Sequence, residues 1–266
     1  MTRVIADTHL HLYPSYDFPA AIAALAANLT GHGAGVCAGF LTERSGCNAF
    51  AAIGSGALTL PPGSGRFQEL REPGTVALVR DDAPPVYLFA GRQIATAERI
   101  EVLALTFDTA IADGLPAAEV IAAVRAAGGV PVLAWSPGKW WFARGRLVRE
   151  LLARRQPGEI LVGDTALRPA GAREPRVMRE ARRRGIGVLA GSDALPLPGE
   201  ERYLGSYVTV LDGDFDPESP RDSVRRLLRT AGATAGTSGA RVPWTSAARR
   251  WLRNARAAGG PAACAG

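Results

Sequence analysis

Short segments that are apolar throughout, separated by longer amphipathic ones, restrict this chain more than any other feature. "GVCAGFLT" (35–42), "VPVLAW" (130–135), "EILVGD" (159–164) and "IGVLAG" (186–191) lack the polar alternation of a half-solvated strand. Such runs belong to strands buried on both faces of a parallel sheet. Helical patterns lie among them: "FPAAIAALAANL", "AAEVIAAVRAAGG", "RGRLVRELLARR" and "EPRVMREARRRG". This order favours a barrel or a doubly wound sheet. "TVALVR", "VYLFAG" and "IEVLAL" form a strand-rich middle, preceded by an irregular "GSGALTLPPGSGR" that lacks the Gly-Lys-Ser/Thr ending of a phosphate loop. With 266 residues, 47% of them hydrophobic, the chain is long enough for one large core. One domain is expected, with the barrel over 1–232 and a C-terminal helix and mobile small-residue tail over 233–266.

Charge narrows the partners. The net charge of +6 comes almost wholly from arginine, because Lys139 is the only lysine. Arginines such as Arg182, Arg183 and Arg184 are interleaved with acids and apolar residues, as on solvated helix faces. No basic stripe with stacking aromatics is visible, so nucleic acid is not the expected partner, whereas small anionic molecules are. No run reaches the length of a membrane span, and no apolar segment follows a basic start. Cys37, Cys47 and Cys264 cannot pair completely. The expectation is a cytoplasmic protein of unassigned oligomeric state, with Cys37 a small core residue.

The opening strand carries the clearest chemistry. In "VIADTHLHLYPSYD" it stops near Asp7 and places His9 and His11 on one face, and Asp193 ends the strand "IGVLA". Catalytic groups of a parallel barrel gather at the carboxyl ends of its strands. Two neutral imidazoles and a carboxylate suit a zinc-like or manganese-like ion, which makes hydroxide available near neutral pH. The plainer alternative is a pair of polar residues capping a strand. His32, in "TGHGAG", reads as a helix-end residue.

"ADTHLHLYP", "AGGVPVLAWSPG" and "GIGVLAGSDALPLPGEERYLGSY" resemble, in order and spacing over residues 3–212, the polymerase-and-histidinol-phosphatase (PHP) family. That resemblance implies a distorted (β/α)7 TIM-like barrel and metal-dependent phosphoesterase chemistry. It also implies ligands that are missing. Thr42-Glu43-Arg44 stands where the family carries Thr-Asp-His, and Gly91-Arg92-Gln93 where it carries Gly-x-Glu. Ala134-Trp135-Ser136-Pro137 stands for Ala-His-Pro, and Leu195 for the last histidine of Gly-Ser-Asp-x-His. His9, His11 and Asp193 survive, so the pattern allows one divalent ion, not three. On this reading Arg44 supplies charge where a second ion would sit, Gln93 removes a costly negative charge, and Trp135 and Leu195 fill the emptied space. Arg44 equally suits a pair with Glu43 or a solvated position.

Further candidates follow the strands. Arg92, Lys139, Arg144 and Arg202 are placed to bind a phosphate or carboxylate at the mouth. Trp140 and Trp141 in "GKWWF" suit an aromatic wall or simple packing. Two functions stay open. One is a hydrolase with Asp193, Arg44 and Arg92 as catalytic groups; the other is a non-catalytic barrel that binds a small anion or a partner protein.

Overall fold

Strand β1 (Thr2–Leu10) opens the sheet and is followed by α1 (Phe18–Gly31), β2 (Val36–Glu43) and the short α2 (Ala49–Gly54). Four strands come next: β3 (Arg66–Glu69), β4 (Thr75–Arg80), β5 (Ala83–Ala95) and β6 (Glu101–Leu105). Then α3 (Ala117–Ala126), β7 (Val130–Ala134), α4 (Phe142–Ala153), β8 (Leu161–Thr165), α5 (Arg176–Arg183) and β9 (Val188–Gly191) alternate. The chain continues through a 3-10 turn at Glu201–Tyr203, β10 (Tyr207–Gly213), α6 (Pro220–Thr230), β11 (Gly236–Gly239) and α7 (Trp244–Ala257). This computed structural model describes residues 1–230 and 234–257. The expected boundary at 232/233 and the expected tail lie outside them.

The strands order as β11-β10-β1-β2-β5-β6-β7-β8-β9, with β3 and β4 branching from β5. The sheet is nearly closed and barrel-shaped. Strands β1, β2 and β5 pair in parallel, as do β7, β8 and β9, whereas β6 runs antiparallel to both of its neighbours. The strand-rich middle is thus hairpins, β4 and β6 each pairing antiparallel with β5. Strand β9 closes against β1 through the Asp193 N–H, which donates to the His9 carbonyl at 2.9 Å, and through Thr8 Oγ1, which donates to the Ala190 carbonyl at 3.0 Å.

Alternation along the strands explains the unbroken apolar runs. Val4, Ala6, Phe40, Phe89, Val132 and Leu189 belong to the cluster inside the barrel, where Phe40 and Phe89 stack at 5.1 Å. Leu133, Val162 and Val188 face outward onto α3, α4 and α5. Both strand faces are therefore dry. Helix α1 shows how the outer layer is built. Asp17 caps it by accepting from the Ala20 N–H, and Ile22, Leu25 and Leu29 fall on its buried stripe. Each such side chain contributes roughly 1.5–3 kcal/mol of burial. His32 ends the helix, and its ring bonds Ser238 Oγ and the Gly205 carbonyl.

Cys37 is a buried free thiol, pushed above the usual thiol range by that burial. No helix among the described residues is long and apolar enough to cross a membrane.

Candidate metal centre

Strand β1 aims its histidines by a bulge. Ala6 and Asp7 face Ala38 and Gly39, but the next paired residue, Leu10, faces Leu41, so β1 spends one residue more than β2 over this step. The extra residue shifts the parity from Val4 and Ala6 inside to His9 and His11 inside. Their rings meet edge to face at 4.9 Å. Asp7, which precedes the bulge, is a structural acceptor rather than part of the mouth. It is fully buried and accepts from Ser192 N–H, Ser192 O–H, Gly205 N–H and His9 N–H. Burial nevertheless holds its carboxyl above the ordinary value.

Asp193 follows β9 in a left-handed conformation, φ 46°, which aspartate tolerates better than most residues. Its Oδ1 lies 3.5 Å from His9 Nε2 and 3.8 Å from His11 Nε2. The ligand atoms of the three residues all fall within 4.8 Å of one another, a group able to hold a metal ion. Gly191 makes the approach possible, since a Cβ there would stand 2.4 Å from His9 Cβ.

Electrostatics favour an uncharged imidazole. Burial drives the His11 pKa well below the usual histidine range, and the neighbouring His9 and Arg44 charges push the same way. Asp193 is raised, chiefly by burial; the His9 charge opposes this rise and the Glu101 charge adds to it. Tyr13, whose ring lies tilted against His11 at 5.0 Å, is raised strongly by burial and keeps its proton.

Gln93 and Glu101 complete the floor. Gln93 Oε1 sits 2.9 Å from His9 Nε2, while Gln93 Nε2 donates to Glu101 Oε1 at 3.0 Å. Lys139 Nζ also donates to Glu101 Oε1. The sequence reading missed Glu101. It is the first residue of β6, and because β6 runs backwards, that end lies level with Ala134 at the carboxyl end of β7.

The other expected residues scatter. Arg44 is exposed yet close enough for its charge to act on His11 and Tyr13. Arg92 does not line the mouth as expected, because strand alternation turns it outward when Gln93 points in. It pairs with Glu43 at 3.6 Å and donates to the Cys47 carbonyl. Glu43 is therefore engaged by Arg92, and not by Arg44. Arg144 donates to the Gly138 carbonyl, and Arg202 lies over the Tyr203 ring at 4.8 Å. Trp140 is buried and Trp141 exposed. Trp135 does not plug the centre as expected. It packs on the outer layer because inward parity on β7 falls on Val132 and Ala134. Leu195 packs instead with Leu167 and Leu197.

Solved structures share this fold. PsfC from Pseudomonas syringae PB-5123 matches with a TM-score of 0.59 at 17% identity, over 96% of this chain and 98% of its own. The lesion-specific endonuclease PfuEndoQ from Pyrococcus furiosus matches with a TM-score of 0.53 at 12% identity, over 89% of this chain. Endonuclease Q in complex with a 27-mer duplex carrying an abasic lesion at its active site gives 0.53 at 11% identity. This chain spans 59% of the length of either endonuclease chain. No family model matches the sequence, and no curated protein matches it. At such identities the likeness is one of fold.

Proposed function

We propose that this chain is a metal-dependent hydrolase of the PHP type, a distorted (β/α)7 barrel acting on a phosphate ester or another small anionic substrate. The observation that supports it is the convergence of His9, His11 and Asp193 within 4.8 Å at the carboxyl ends of β1 and β9. The fold likeness to a lesion-specific endonuclease agrees with phosphoester chemistry as a class.

The donor set fits one divalent ion, zinc or manganese. Burial keeps His11 in the neutral form a metal requires, and Gln93 Oε1 offers a neutral oxygen beside His9. With an ion held by His9, His11 and Asp193, the site would gain Lewis acidity that brings the ionisation of a water toward neutral pH. Asp193 would hold the ion with the two histidines and orient that water by a carboxylate oxygen. The Arg44 guanidinium stands on the open side, where it neutralises an anionic substrate and charge developing on it. Tyr13 is buried between His11 and Tyr16 and keeps water from that flank.

One observation favours a second reading, a non-catalytic barrel that binds a small anion. Gln93, Glu101 and Lys139 already satisfy one another. Metal analysis of protein purified without chelator, joined to assays on phosphomonoesters and diesters with added manganese or zinc, separates the two. The hydrolase reading expects at most one ion per chain and activity that falls by several orders of magnitude in His9→Ala and Asp193→Asn. Activity indifferent to His9→Ala overturns the metal mechanism. No ion and no activity on any substrate leaves the anion-binding barrel.

A further inference from the structure

A cavity opens on the same end of the barrel, with none of the three metal-centre residues in its wall. It has a volume of about 600 Å³ and lies between the start of α4 and the start of α5, with Trp135, Trp141, Phe142, Arg146, Arg173 and Arg176 in its wall. Volumes of this order suit small-molecule ligands. Its chemistry is two-sided. Trp141 is 64% exposed and Phe142 85% exposed, so large aromatic surfaces stand in solvent. Phe142 also holds φ at 54°, a conformation that aromatic residues rarely adopt.

The other side is positive, and of its arginines only Arg176 makes an ion pair among the described residues, with Glu180 at 2.6 Å. Arg146 and Arg173 make no ion pair among the described residues, and no carboxylate lines the cavity. Glu174, the nearest acid in sequence, is turned to Arg182 at 3.2 Å. Both helices begin here with no side-chain cap and no acid in the first turn, so their free N–H groups add positive potential.

We propose that this cavity binds a phosphorylated nucleoside, with the base stacked on Trp141 and Phe142 and the phosphate held by Arg146 and Arg173 between the two helix starts. An exposed aromatic pair alone accepts many apolar ligands, and unpaired arginines alone accept any anion. A flat base joined to a phosphate satisfies both at once. The source we favour is the free mononucleotide, because a volume of about 600 Å³ is of the size that holds one small molecule.

Isothermal titration calorimetry with adenosine 5′-monophosphate tests this in EDTA, so that the result does not depend on the metal reading. Adenosine, inorganic phosphate and a single-stranded oligonucleotide complete the series. Expected is binding of the monophosphate that weakens at least tenfold in Trp141→Ala and in Arg173→Gln. Both residues are exposed, so the fold is preserved, and Arg146→Gln serves as a second variant. Adenosine and phosphate should each bind at least tenfold more weakly than the nucleotide. An oligonucleotide that binds more tightly, with the same losses on substitution, keeps the base-and-phosphate site and moves its source to a strand. Absence of binding, affinity unaffected by these substitutions, or inorganic phosphate binding as tightly as the nucleotide overturns the proposal.

Discussion

Gln93 presents its amide oxygen, not its nitrogen, to His9, at 2.9 Å from Nε2, because the nitrogen is committed to Glu101 at 3.0 Å. Glu101 is fixed in turn by Lys139. The orientation of a neutral side chain beside the histidines is therefore set by an ion pair on neighbouring elements. Gln93→Ala removes the oxygen and Glu101→Ala removes its anchor. Groups that orient metal ligands typically change metal affinity by roughly 10- to 100-fold. Both variants should lose manganese or zinc affinity on that scale in titrations of chelator-stripped protein. Equal affinity in wild type and Gln93→Ala would show that the amide takes no part.

Glu43 makes stability depend on pH. Its carboxyl is pushed up from 4.5 to about 6 by burial, against the Phe50 N–H and the Arg92 charge, which pull it down. A carboxyl raised by folding stabilises the native state fully below its unfolded value, and that contribution is lost as pH rises through the folded value. Between about pH 4.5 and 7 the loss is on the order of 2 kcal/mol. Glu43→Gln should flatten this dependence. Thermal melts of both proteins at pH 5 and pH 7.5 check it, and identical slopes would contradict the assignment to Glu43.

Closure of the barrel depends on the missing side chain of Gly191. A Cβ there would meet His9 N at 2.5 Å as well as His9 Cβ, atoms fixed to the backbone rather than the far end of a flexible side chain. Gly191→Ala is expected to cost about 1–3 kcal/mol, as overpacking in a tight interior does. The melting temperature should drop by several degrees, and divalent-ion binding should weaken with it as Asp193 is displaced. An unchanged melting temperature would mean that β9 can slide on β1.

The histidines and Asp193 were legible because each stands at the end of an apolar run, and strand ends in a parallel sheet share one face. Glu101 was not legible. Its position depends on the direction of β6, and periodicity carries no direction. The same holds for facing. Arg92 and Gln93 are equally plausible inward residues until the pairing of Gln93 with Leu103 fixes the register. Trp135 was misplaced for that reason, read as an inward plug when Ala134 holds the inward position. The alternation that revealed the barrel thus gave its layers but not their parity, and the bulge after Asp7 reverses parity within a single strand.

Parity also separates two arginines that the sequence treats alike. Arg44 follows β2 in step with the inward Ala38 and Phe40, and its charge bears on His11 and Tyr13. Arg92 faces outward and is spent on Glu43 and the Cys47 carbonyl. If Arg44 meets the substrate's negative charge, Arg44→Gln should raise KM or lower kcat for a phosphate ester by a charge-assisted hydrogen bond, about 1.5–3 kcal/mol. That corresponds to roughly a 10- to 150-fold loss in kcat/KM. Arg92→Gln should leave kcat/KM within about threefold, an allowance for small changes at a site that does not touch substrate. It should instead lower stability, since Glu43 would be left buried without its cation. Paired steady-state kinetics and thermal melts of the two variants decide it, and a larger kinetic loss in Arg92→Gln than in Arg44→Gln would mean that the mouth is read from the wrong face of β5.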